Sequence, residues 1–186
     1  MRRFFVGVKI PDAMGEALLQ LEAVLQSHVQ AKRWYGVDQF HITTNFLGEL
    51  TDSDLQNTIR LLDQTASDHE SFHLSLSGVG AFPRARVVWC GVGGETDRLV
   101  RLYDRLREAF RPLAADRFAK PVFTPHISLA RTGDLSSFRP ETVDVEQLLM
   151  QCEWTVDQVC LFESLLHPDG ARYPVIHSVN LKQRTG

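Results

Sequence analysis

Two short segments, His41-Ile42-Thr43 and His126-Ile127-Ser128, each place an imidazole and a hydroxyl two residues apart. In a β-strand, residues i and i+2 leave the same face. Each segment can therefore aim a proton-transfer group and a hydrogen-bond donor into one cleft. Two such pairs facing each other suit attack on a phosphate ester, one histidine taking a proton and the other giving one back. Spacing alone does not select them. Of seven histidines, four have Ser or Thr two positions on, because His69-Glu70-Ser71 and His73-Leu74-Ser75 share the pattern.

The surrounding elements separate the two pairs from the chance matches. Residues 3–10 (RFFVGVKI) read as a central strand, apolar on both faces. Pro11-Asp12 opens a helix with Asp12 as its N-cap, and Met14, Leu18, Leu21 and Leu25 recur at helical spacing. After a loop over 32–36, a strand over 40–47 carries the first pair. Strict alternation puts Phe40, Ile42 and Phe46 on one face and His41, Thr43 and Asn45 on the other, with Thr44 a polar exception on the apolar face. Thr51 to Asp54 begins a second helix with Leu55, Ile59 and Leu62 inward. A half-exposed strand over 72–79, a turn over 78–83 and a strand over 87–92 follow. A helix over 96–110, striped by Leu99, Tyr103, Leu106 and Phe110, ends at Pro112. The strand over 123–130 carries the second pair. Loop and a short helix fill 132–150, and strands over 155–162 and 173–181 complete the pattern.

A faint repeat emerges from this order. Strand 3–10, helix 12–27 and strand 40–47 are echoed by strand 87–92, helix 96–110 and strand 123–130. Both selected histidines then occupy the same place in their half, whereas no equivalent strand–helix unit leads into His73.

Composition bounds the rest. With 186 residues, 44% hydrophobic and 23% charged, the chain is long enough to bury a core as one domain or two joined lobes. A net charge of -3 excludes coating of long nucleic acid by bulk charge but permits a local basic cleft. Arg84 and Arg86 cluster, and Arg101, Arg105, Arg107 and Arg111 read as a solvated helix face. Three cysteines, Cys90, Cys152 and Cys160, lack metal-type spacing and read as reduced thiols. The apolar run after Met1-Arg2-Arg3 is too short for a signal peptide, no run reaches membrane-spanning length, and the expected location is the cytoplasm. No metal is expected, since neither motif has a carboxylate or cysteine at ligand spacing and Glu49 reads as a strand-end surface residue. Phe5, Phe46 and Trp34 could stack on a base, although the two phenylalanines read better as core.

The flanks carry a resemblance. Phe40-His41-Ile42-Thr43-Thr44-Asn45-Phe46-Leu47-Gly48-Glu49 and Thr124-Pro125-His126-Ile127-Ser128-Leu129-Ala130-Arg131 are similar to the paired motifs of the two-histidine (2H) phosphoesterases. The branch resembled is that of the RNA 2',3'-cyclic phosphodiesterases, once called 2'-5' RNA ligases. The opening Arg3-Phe4-Phe5-Val6, Gly78 to Pro83 and Leu161-Phe162-Glu163-Ser164 match as well, so the likeness spans nearly the whole chain. Ser128 stands where Thr is usual, which keeps the hydroxyl and loses a stiffening methyl.

The resemblance implies an α+β fold: one domain over 1–186 built of two duplicated, pseudo-symmetric lobes. Each lobe would be a mainly antiparallel sheet with helices on its outer face, the active-site cleft lying between them. It implies hydrolysis of RNA 2',3'-cyclic phosphate ends to 2'-phosphomonoesters, with ligation as the reverse reaction, by a monomer needing no cofactor. His41 would be the proton donor to the 3' oxygen and His126 the acceptor that activates water. Thr43 and Ser128 would hold the phosphoryl oxygens. Arg131 would be a lesser phosphate contact, since strict alternation points it away from the cleft. Partners would be RNA 3' ends or oligonucleotides carrying the cyclic phosphate. Two other readings remain open: a 2H enzyme for a small cyclic nucleotide or an ADP-ribose-derived cyclic phosphate, and a non-catalytic RNA-end-binding module.

Overall fold

A computed structural model describes residues 2–113 and 123–184. Its strands are β1 (Arg2–Lys9), β2 (Ala31–Trp34), β3 (His41–Leu50), β4 (Phe72–Phe82), β5 (Val87–Gly94), β6 (His126–Thr132), β7 (Glu153–Val156), β8 (Gln158–His167), β9 (Gly170–Arg172) and β10 (Val175–Asn180). The helices are α1 (Asp12–Leu25), α2 (Asp52–Ala66), α3 (Thr96–Phe110) and the single turn α4 (Glu146–Leu149).

One sheet runs in the order β10-β8-β1-β3-β6-β5-β4-β7, with β2 joined to β6 and β9 to β8. Every strand pairing is antiparallel. The order divides at its middle into four strands on each side, and β3 and β6 meet there through the single pair Ile42↔Ile127. The expected lobes are thus halves of one continuous sheet. β1 is central in its half, between β3 and β8, as its two apolar faces require.

The helices cover one face of this sheet. Leu18, Leu21 and Leu25 of α1, Leu62 of α2 and Leu99, Leu102 and Leu106 of α3 are fully buried, in one core with Val6, Ile42, Cys90 and Ile127. Burying such side chains stabilises by roughly 1.5–3 kcal/mol each. It also commits the alternate residues of β3 and β6 to the opposite face. Thr51 caps α2 by accepting the Asp54 amide hydrogen. Cys90, Cys152 and Cys160 are free and buried, and burial pushes the Cys90 thiol up to about 12.

Several boundaries differ from the sequence reading. Pro11, not Asp12, occupies the N-cap position of α1, and no side chain caps that end. The expected loop over 32–36 contains β2, held against Ala130 to Thr132 of β6. β4 continues to Phe82, so the turn moves from 78–83 to the residues after it. The second motif strand starts at His126 rather than Phe123. Tyr103 is only half-buried on the stripe of α3, with Leu102 the residue enclosed beside Leu99. The single strand expected over 155–162 is two: β7 pairs with β4 at one margin of the sheet, while β8 joins β1 in the other half. The final strand is β10, preceded by the unexpected short strand β9. Apolar periodicity is the same on both sides of such a change of partner, so it carries no mark of it.

Candidate active site

The two motifs meet at the central seam of the sheet. Ile42 and Ile127, opposed and fully buried, are the middle residues of the two segments. Their neighbours therefore project from the other face. Antiparallel register about that pair sets His41 across from Ser128 and Thr43 across from His126. Each imidazole thus stands beside the hydroxyl of the opposite motif. His41, Thr43, His126, Ser128 and Arg131 all line one cavity of about 600 Å³.

Both rings are held the same way. His41 Nδ1 donates to the Gln39 carbonyl and His126 Nδ1 to the Thr124 carbonyl, each at 2.7 Å and each two residues upstream. A carbonyl can only accept, so the proton sits on Nδ1 and Nε2 is the nitrogen free to exchange one. The rings differ in their walls. Phe5 at 4.7 Å, Tyr173 at 4.8 Å and Phe162 at 5.8 Å between centroids enclose His41. Phe82 at 4.8 Å and Trp89 at 6.3 Å stand against His126. Burial lowers the pKa of both imidazoles, that of His41 to about 4, where nearby His126 adds to the effect.

Past each hydroxyl, the strands break alternation at the same place. Gly7 pairs with Thr43 but Val6 with Asn45, so Thr44 is an extra residue in β3. Trp89 pairs with Ser128 but Val88 with Ala130, so Leu129 is extra in β6. Each is a β-bulge three residues after its histidine. Two consecutive residues are buried at each, Thr44-Asn45 and Leu129-Ala130, and the following side chain turns to the cleft. This corrects two expectations. Phe46 lies on the cleft wall and is 66% exposed rather than in the core, while Asn45 is buried. Arg131 faces the cleft rather than away from it, with Nε donating to the Tyr35 hydroxyl at 3.2 Å. The polar Thr44 is explained by the same bulge, since its hydroxyl donates to the Val6 carbonyl at 3.0 Å. Phe5 is buried as expected, but in a small cluster with Cys160 and Phe162 behind His41. Trp34 packs on the main core.

The other matching histidines lie elsewhere: His69 is buried against Phe72, and His73 hydrogen-bonds Thr155 on the margin strand β7. Sequence reasoning missed Arg3, Arg33, Tyr35, His167 and Tyr173, which also line the cavity. Arg33 and Tyr35 arrive with β2, and His167 and Tyr173 with the β8–β9 hairpin, neither of which periodicity reveals. Arg33 donates to the Asp169 carbonyl of that hairpin. Among the described residues, no three His, Cys, Asp or Glu side chains come together as a metal site requires. No helix among them is long and apolar enough to cross a membrane.

Opposed imidazoles and hydroxyls thus border one cavity on a curled antiparallel sheet. Comparison with known proteins gives the class. Residues 10–167 match the family model described as the 2'-5' RNA ligase superfamily, and the chain belongs to that family. It is 27% identical over 182 residues to the RNA 2',3'-cyclic phosphodiesterase of Thermotoga maritima, covering 94% of this chain and 93% of that one. The enzyme of the same name from Aeropyrum pernix is 34% identical over 154 residues, covering 76% of this chain and 82% of that one. The Thermus thermophilus protein TT0787 shares the curled half-barrel sheet, with a TM-score of 0.81 at 26% identity over 98% of this chain and all of that one. Escherichia coli LigT in complex with 3'-AMP superposes with a TM-score of 0.75 at 25% identity, 98% of both chains being covered.

Proposed function

We propose that this cleft hydrolyses 2',3'-cyclic phosphate at RNA 3' ends to a 2'-phosphomonoester, by acid–base catalysis that uses no metal. The observation that carries the reading is the seam itself, where two histidines with identical carbonyl anchors and two hydroxyls border one cavity. A protonated His41 gives its Nε2 proton to the departing 3' oxygen, and a neutral His126 accepts one from the attacking water. Such help is typically worth about 10²–10⁴-fold in rate. Thr43 and Ser128 donate to the nonbridging oxygens as charge gathers on them. Arg131, its guanidinium steadied by Tyr35, adds a cation beside them. Phe46 offers a face for the terminal base. With a 5' hydroxyl in place of water as the nucleophile, the same groups in the same roles support ligation: the P–O5' bond forms, the P–O3' bond breaks, and a 2'-5' linkage remains. The matching bulges and the four-plus-four strand order support one domain of two duplicated lobes.

One observation favours a second allocation of roles. His41 is the more enclosed ring, walled by Phe5, Phe162 and Tyr173, so burial favours placing the pair's proton on His126. A cyclic substrate with sulfur at the 3' bridging position separates the two, because a thiolate leaves without protonation. It restores turnover to the variant lacking the acid and not to the one lacking the base. Either way, one ring must be charged and the other neutral. The active pair carries one proton: it takes up a second as pH falls toward about 4 and loses its last one before pH reaches 6.5, since burial lowers both imidazoles. The profile of kcat/KM is therefore a bell centred below pH 6.5.

The defining test is incubation in EDTA with an oligoribonucleotide ending in a 2',3'-cyclic phosphate, with the product's phosphate position mapped. Hydrolysis to the 2'-phosphate is expected. No hydrolysis, hydrolysis only on adding metal, or a 3'-phosphate product would overturn the proposal.

A further inference from the structure

Leu166, 79% exposed, and Phe46, 66% exposed, are the two most exposed large apolar side chains among the described residues, and both line the cavity that holds the histidines. Both stand on the wall of one cleft, where an exposed apolar side chain is placed to meet the apolar face of a ligand held there. They sit toward the same end. Phe46 pairs with Phe5 on β1, and Arg3, two positions further along β1, pairs with Ser164 on β8. Leu166 is two positions beyond Ser164 on that strand and so shares its face. Arg3, Ser164 and Leu166 all border the cavity. Moving outward from His41, the wall therefore presents Phe5, then Phe46, then a cation with a hydroxyl and an apolar side chain.

Arg3 is free to take a new partner in a way the other cleft arginines are not. Arg131 is held by Tyr35 and Arg33 by the Asp169 carbonyl. Arg3 is 63% exposed, and its nearest carboxylate, Glu49, is 3.5 Å away and itself exposed. Exposed pairs of this kind contribute little, so a phosphate can displace it.

We infer that Arg3, Ser164 and Leu166 form a second subsite, taking the phosphodiester and nucleoside on the 5' side of the terminal nucleotide. This rests on the cyclic-phosphate reading and refines its substrate class. A strand whose end lies between the histidines, with its last base on Phe46, runs its next phosphate past Arg3 and Ser164 and its next nucleoside against Leu166. The preferred substrate is then an oligoribonucleotide end, and a free 2',3'-cyclic mononucleotide leaves the outer wall unused. A positive groove with apolar platforms for successive bases is how single strands are held without sequence preference.

The test is the ratio of kcat/KM for a dinucleotide or trinucleotide ending in a 2',3'-cyclic phosphate to that for 2',3'-cyclic AMP. In the unaltered protein the ratio is expected to be about tenfold or more, corresponding to one cation–phosphate contact and one base contact, and to shrink as salt is added. Arg3→Ala and Leu166→Ser should each bring it toward one, and Arg3→Lys should restore part of it. A ratio near one in the unaltered protein overturns the subsite while leaving the cyclic-phosphate activity standing. A high ratio that both variants retain overturns it too, and moves the strand to the Arg33 end of the cleft. Failure to hydrolyse either substrate is instead a failure of the underlying reading.

Discussion

β3 and β6 follow one plan and differ at its last position. Each carries a histidine tied to the carbonyl two residues before it, a hydroxyl two residues after it, and a bulge at the third residue that turns the fifth into the cleft. The fifth residue is Phe46 in one strand and Arg131 in the other. The shared part matches what is symmetric in the proposed reaction, one proton given and one taken at opposite oxygens of a single phosphorus. The unshared part matches what is asymmetric in the substrate, which has a base on one side and charge on the other. On the proposed reading, repeated architecture supplies the chemistry, and the difference at the fifth position supplies the orientation.

The first way to break this comparison is to remove either ring. His41→Ala and His126→Ala should each lower turnover of a cyclic-ended oligonucleotide by roughly 10²–10⁴-fold, while His73→Ala, on a different wall of the molecule, should match the parent. If one histidine variant keeps most of its rate, the symmetric half of the comparison fails.

The fifth positions should separate kinetically. Phe46→Ala removes a stacking face worth about 1–3 kcal/mol per base, or roughly 5- to 150-fold, and should appear mainly as a raised KM. Arg131→Ala should act mainly on kcat, because the role proposed for the guanidinium is to meet the phosphoryl group as charge grows on it. Arg131→Lys should restore little, since an ammonium cannot both meet Tyr35 and reach the phosphate as a planar fork does. Steady-state kinetics on both variants decides it. Equal effects on KM from both would mean that the two positions share one binding role.

The same two positions mark where the sequence stops being legible. The histidines and hydroxyls, the strand–helix–strand repeat and the three long amphipathic helices are readable, because each rests on a periodicity that burial enforces. Strict alternation puts Phe46 and Arg131 on the wrong face because one extra residue in a strand reverses every side chain after it. A bulge leaves no periodic trace beyond two adjacent buried positions, and Leu129-Ala130 looks like ordinary apolar strand. Thr44 is the one local clue, a hydroxyl on a face that should be apolar. The cavity wall from β2 and the β8–β9 hairpin is hidden for another reason. Arg33 and Tyr35 reach the site because β2 pairs with β6, and His167 and Tyr173 because β8 pairs with β1, and no spacing along the chain encodes pairing between such distant strands.

The bulges themselves offer the finest test. At the extra position, β6 has Leu129, fully buried among the core side chains, whereas β3 has Thr44, whose hydroxyl donates to Val6 across the strand pair. Thr44→Val keeps the shape and deletes that bond. The expected cost is about 0.5–1.5 kcal/mol of stability, a fall of a few degrees in melting temperature for a chain of this size. Kinetics should be near parental, because Asn45, the next buried residue, still reaches the Tyr103 carbonyl of α3 and holds the strand's phase. If Thr44→Val instead raises KM as Phe46→Ala does, the hydroxyl is what keeps Phe46 in the cleft. The two halves would then differ in how they hold their bulges, β6 by apolar packing and β3 by a hydrogen bond that catalysis depends on.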